Sequence, residues 1–305
     1  MQLSSEIETV NQISKKDFYN NFFIEQKPLI IKSISSNADA FKKWNFEYLK
    51  KNAGDIEVDL YDSELKNFST TSITKPDKKI LFLNYLDQLE KNGNSKYRIF
   101  LFNLFKLKPE LRKDFPCPEI FKGLLDNIGF MFFGGKNTNV RLHYDIDNCN
   151  VLHTHFSGRK KVTLFAPEYS ELLYRLPFTT HSLINAEKPD YVKYSALKYV
   201  KGLEFILDHG DTLFMPSGYW HQMKYIDAGF SVSYRKLPIN LIDTFNGFYN
   251  ISINMPIDKT MTYLFPKRWP NFKINESIQN ADKVIKNSAI KYLTDLNYLK
   301  SNQVN

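Results

Sequence analysis

The sequence has little of several things that would place it in common classes. Only Cys117 and Cys149 occur in 305 residues, too few for a disulfide framework, and with no Cys-x-x-Cys pair there is no thiolate zinc or dithiol redox motif. No run of eighteen apolar residues is available to cross a bilayer. The opening Met1-Gln2-Leu3-Ser4-Ser5-Glu6 has neither the basic start nor the apolar middle of a secretion signal, so a cytosolic protein without membrane contact is expected. A phosphate-cradling Gly-rich loop and an internal repeat are missing too. What is present is apolar material, 43% hydrophobic and 15% aromatic, ample for one sizeable core and a single catalytic unit. The formal charge is +8. Its lysines are scattered rather than massed, so a solvated surface accounts for it as well as an acidic partner such as RNA or a ribosomal particle does.

Chemistry concentrates in two stretches. In Arg141-Leu142-His143-Tyr144-Asp145, an extended backbone puts side chains two apart on one face, so His143 and Asp145 project together. Far downstream, Gly210-Asp211 reads as a turn, Thr212 to Met215 as a short apolar strand and Pro216-Ser217-Gly218 as another turn. Tyr219-Trp220-His221 then opens a further strand. If that strand lies beside the first, His221 completes two imidazoles and one carboxylate on one side of a metal. Such a facial triad leaves the opposite positions open and suits non-haem Fe(II) oxygenases.

Together with the turn Gly158-Arg159-Lys160, these motifs follow one another in the order found in the JmjC and cupin-like 2-oxoglutarate oxygenases. The chain resembles that family, which includes the asparaginyl hydroxylase of hypoxia-inducible factor. The resemblance extends to Lys27-Pro28-Leu29-Ile30-Ile31-Lys32 and Trp44-Asn45-Phe46-Glu47-Tyr48-Leu49. It implies Fe(II) held by His143, Asp145 and His221, and 2-oxoglutarate whose distal carboxylate pairs with Lys160. Tyr97, His155 and Arg235 fall near positions that relatives use around the co-substrate and are carried as further binding candidates. The sequence departs from the family where Val140 replaces a threonine, and where Asn148 and Asn150 are both offset from the expected asparagine. The stretch from Asp147 to Asn150 carries extra residues and is expected to bulge.

The fold expected is mainly β with flanking helices: a double-stranded β-helix, or jelly-roll, built from short strands between turns, plus C-terminal helices. Residues 1–95 are expected to form a helix and strand region packing on the barrel. Residues 96–240 form the catalytic core and residues 241–305 a helical end. In the first region Ser14 sits where an N-cap belongs, residues 41–52 read as one helix closed by Gly54, and Ile56 to Leu60 alternate as a strand. Residues 62–79 and 166–200 read as loops that could border a substrate. After Pro270 neither proline nor glycine occurs, and Ile278, Ala281, Ile285, Ala289, Tyr292 and Leu296 recur at helical spacing. That stripe either caps the barrel or joins two copies in a homodimer.

The function expected is hydroxylation of a C–H bond, by resemblance in a protein side chain, with a small molecule as the other substrate class. A metal cupin of another class, such as an isomerase, would need no cation at Lys160. A non-enzymatic cupin-like binding protein would not need the triad.

Overall fold

The computed structural model describes residues 1–63 and 75–302, with side chains to residue 288. In chain order the strands are β1 (Gln2–Ser4), β2 (Thr9–Val10), β3 (Leu29–Ile31), β4 (Glu57–Asp62), β5 (Lys78–Leu81), β6 (Tyr97–Phe102) and β7 (Gly129–Gly134). They continue as β8 (Asn139–His143), β9 (Asn150–His155), β10 (Lys160–Phe165), β11 (Lys201–Leu207), β12 (Thr212–Met215), β13 (Trp220–Tyr225) and β14 (Gly229–Lys236). Two sheets form, one in the order β1-β11-β10-β13-β8 and the other β2-β3-β12-β9-β14-β7-β6-β4-β5. From β7 to β14 the chain passes back and forth between them, staying in one sheet only from β10 to β11. This is the expected jelly-roll.

The N-terminal region is continuous with this barrel. Strands β2 and β3 extend one edge of the larger sheet, β4 to β6 extend the other, and β1 pairs in parallel with β11. An aromatic cluster that includes Phe18, Trp44, Phe82, Phe115, Phe133 and Phe214 packs the helices against the larger sheet. Local signals behave as expected at Ser14, whose hydroxyl accepts from the Asp17 backbone N–H and caps Lys15–Phe18. The helix expected over 41–52 is two, Asp39–Lys43 and Phe46–Ala53, because Trp44 is extended and Asn45 caps a second start. Buried Trp44 donates its indole N–H to Asp114, an attachment outside the helix that the apolar stripe alone does not show. The loop expected over 62–79 lies mostly outside the described residues, and its end forms β5.

Residues 166–200 are not an open loop. Leu173, Tyr174, Leu176, Leu183, Ile184, Ala196 and Leu197 build a second core. Onto it pack Ile274, Ile278, Ala281 and Ile285 of the long helix Arg268–Asn302. Of the stripe read from the sequence, Ile278, Ala281 and Ile285 thus cover this insertion, while Ala289, Tyr292 and Leu296 lie outside the residues whose side chains are described. Two earlier helices, Leu241–Tyr249 and Met255–Leu264, join through a π-helical turn and leave Leu241, Phe245, Phe248 and Tyr263 exposed. Among the described residues no helix is long and apolar enough to cross a membrane.

The first of these helices touches the loop that follows β8. A Cβ on Gly247 would lie 2.2 Å from the Asp147 carbonyl oxygen, while Asn148 donates its side-chain amide to the Asp243 carbonyl. Gly247→Ala must therefore push backbone against backbone. A loss of about 1–3 kcal/mol is expected in denaturant unfolding, and an unchanged midpoint would show that the helix yields freely.

Candidate metal centre

Strand pairing builds the site. β8 and β13 run antiparallel with His143 directly opposite His221, so both rings leave the same sheet face, their centroids 4.3 Å apart. Asp145 follows two residues after His143, and its carboxylate lies 3.9 Å from His143 Nε2. One ligand atom from each of the three residues falls within 4.8 Å of the others.

The imidazoles are oriented for coordination. His143 Nδ1 lies 2.7 Å from the Arg141 carbonyl and His221 Nδ1 lies 3.1 Å from the Tyr219 carbonyl. A carbonyl only accepts, so each Nδ1 carries the proton and each Nε2 keeps a free lone pair. Burial, and next the His221 ring, drops the His143 pKa to about 3, so the ring is neutral. Burial, the largest single influence, would raise the Asp145 carboxyl, but the charge and hydrogen bond of Arg235 together with the two neighbouring imidazoles outweigh it and hold the group well below its usual range. Arg235 donates 2.8 Å to Asp145 and 3.1 Å to Asp147. It is placed to orient the carboxylate rather than to reach toward an oxo acid.

The other sequence candidates lie at different depths. Lys160 on β10 points into the barrel, only 1% exposed, whereas Lys161 faces outward to Glu187 and Glu204. The Lys160 ammonium donates to Ser231 Oγ at 2.6 Å and His153 Nε2 at 3.1 Å and sits 4.3 Å over the Tyr225 ring. Among the described residues no carboxylate pairs with it, and burial pulls its pKa well below the ordinary lysine value. His155 is fully buried: Nδ1 meets Ser231 Oγ at 2.8 Å, while Nε2 has no partner. Tyr97 stands on the other face of β6 from Arg98, its ring flanked by the ammonium groups of Lys78 and Lys96 at 4.7 and 4.9 Å. Asn148 and Asn150 are both occupied structurally, Asn150 accepting from Ser217 N at 3.1 Å.

Sequence reasoning gave His181 no role, yet the fold lays it beside the triad. Residues 180–182 bond the free edge of β8, Tyr144 N to Thr180 O and Ser182 N to Leu142 O, each at 3.0 Å. The His181 ring stacks on His143 at 5.4 Å, and its Nδ1 is buried without a partner. Arg141 clamps this bridge by donating to the Ser182 carbonyl.

The donor set fits a divalent iron: two neutral nitrogens and one carboxylate on one side, with no thiolate to favour zinc. A buried ammonium lacking a carboxylate fits an acidic ligand in the same interior. A family model described as the cupin-like domain matches residues 15–253. The chain belongs to that family. This cupin-like JmjC domain is of the Fe(II) and 2-oxoglutarate oxygenase type. It is similar to JmjC domain-containing protein D of Dictyostelium discoideum, 28% identical over 72% of this chain and 53% of that protein. Lysine-specific demethylase 8 of Danio rerio is 30% identical over 76% of this chain and 58% of its own length. Human tRNA wybutosine-synthesizing protein 5 is 22% identical over 78% and 80%. The chain thus spans about half the length of the first two relatives.

Burial holds His153, His155 and His181, like His143, neutral in the folded protein. Unfolded, each takes up its proton near the ordinary value of 6.5. Below that pH the unfolded state binds more protons, so stability falls as pH drops from 6.5 toward 3, and these groups contribute no pH dependence well above 6.5. Melting temperatures of the metal-free protein should decline steadily below pH 6.5; a flat profile contradicts buried neutral imidazoles.

Proposed function

We propose that this chain is an Fe(II)- and 2-oxoglutarate-dependent oxygenase that hydroxylates a C–H bond of a protein side chain. One observation carries the reading: His143, Asp145 and His221 converge in the same barrel that buries Lys160 without a carboxylate. His143, Asp145 and His221 would hold the iron, and Lys160 the distal carboxylate of the oxo acid. When bound, iron would activate dioxygen, the oxidant, one atom of which goes to succinate as the oxo acid loses carbon dioxide and the other to the substrate hydroxyl. The chain's own part is to fix positions and limit water. Arg235 helps keep Asp145 ionised, the two backbone carbonyls fix the imidazole tautomers, and Trp220 walls the outer side, packed edge-to-face with Tyr144 at 4.9 Å and donating to Ser170. An isomerase-like cupin has no use for the Lys160 cation, and a binding protein has none for three converging ligand atoms.

A macromolecular substrate is supported by the names of the relatives, a lysine-specific demethylase and a tRNA-modifying protein. The protein side chain is preferred because the protein-directed relatives include the one at 30% identity.

Adding Fe(II) and 2-oxoglutarate without oxygen should produce the weak visible charge-transfer band of a chelated oxo acid. Admitting air should then release succinate even before a substrate is known. Asp145→Ala should abolish the band, and Lys160→Ala should raise the 2-oxoglutarate concentration needed by about tenfold or more. Absence of the band in the unaltered protein, or its indifference to both substitutions, contradicts the proposal.

A further inference from the structure

Arg98 is a second cation of the barrel interior that neither the motifs nor the triad uses. Its place follows from register. β6 pairs with β7 so that Arg98 lies opposite Gly134, and with β4 so that it lies opposite Tyr61. On β7 the residues that alternate with Gly134 face inward: Phe130 lies 5.8 Å from the Arg235 guanidinium, and the Phe132 ring 5.9 Å from His153. Gly134 completes that row, and the space its missing side chain leaves is filled by the Tyr225 ring, which a Cβ there would meet at 2.6 Å. Arg98 therefore borders the same tyrosine that lies under Lys160.

Among the described residues nothing neutralises it. The guanidinium rests over Phe100 at 4.7 Å, itself packed on Tyr61 at 4.3 Å. Its Nε is closed to solvent without a hydrogen-bond partner. Among the described residues no carboxylate pairs with Arg98. Two cations without a described carboxylate border one ring, and burial disfavours the charge on each. An anion that accepts from both offsets that cost.

Resting on the oxygenase reading above, we propose that Arg98 joins Lys160 in gripping the distal carboxylate of the oxo acid, so that this site selects a dicarboxylate by two cations instead of one. The arginine is a binding residue that takes up the charge recognition for which Tyr97 is turned the wrong way.

The test needs no turnover. Protein loaded with Mn(II) is titrated by calorimetry with 2-oxoglutarate and with pyruvate, a 2-oxo acid lacking the distal carboxylate. Arg98→Met should weaken 2-oxoglutarate by about tenfold or more and leave pyruvate within about twofold, with Arg98→Lys in between. Because no described carboxylate pairs with Arg98, the ligand-free Arg98→Met protein should melt no lower than the unaltered one. Equal 2-oxoglutarate affinity in Arg98→Met, equal losses for both acids, or a lowered ligand-free melting temperature each overturns the assignment. If the unaltered protein binds neither acid, the oxygenase reading fails and this inference with it. If it binds 2-oxoglutarate with dependence on Lys160 alone, only the role of Arg98 fails.

Discussion

The register between β8 and β13 is the constraint on which the site depends. With period two, a slip of one residue would turn His143 to the outer face and bring Leu142 or Tyr144 inward. The outer face resists such a slip. Gln222, next to His221, accepts from Ala186 N and donates to Asn139 and Asn185, and the irregularity between His221 and Met223 takes up the mismatch beyond it. The free edge of β8 is closed by residues 180–182, so the strand carrying His143 is held from both sides. Asp211 in the turn before β12 is buried on Lys32 at 2.8 Å and so ties the N-terminal strand to the barrel.

Charge is the second organising theme. Lys160, Arg98 and Arg235 face the interior, and among the described residues only Arg235 has acids of its own, Asp145 and Asp147. The barrel is therefore electrostatically incomplete by itself, more so with a dication added. Folding tolerates such a cost where a ligand later offsets it, so stability and function compete at these positions. The network from Ser233 through His153 to Lys160, Ser231 and His155 keeps the ammonium aimed while giving it no negative charge.

Much of this was legible from sequence because it rests on local rules. Alternation placed His143 with Asp145 and set Lys161 on the opposite face from Lys160, which the resemblance of the Gly158-Arg159-Lys160 turn had singled out. Turn residues marked the start of β13, and helical periodicity marked the last helix. What escaped depends on contacts remote in the chain. His181 lies in a stretch without strand periodicity, brought to β8 by an insertion whose core is completed by a helix about a hundred residues later. The choice between Tyr97 and Arg98 turns on how β6 meets its neighbours, including an irregular pairing with β7 where Leu101 adopts a positive φ of 53°. Neither is encoded in the residues next to them.

The most direct measurement is anomalous diffraction from a crystal grown with Mn(II) and 2-oxoglutarate under exclusion of oxygen. The account predicts one strong interior peak bonded to Nε2 of His143, a carboxylate oxygen of Asp145 and Nε2 of His221, with the oxo acid running from it toward Lys160. An ion held elsewhere, with these two imidazoles turned away from each other, would contradict it.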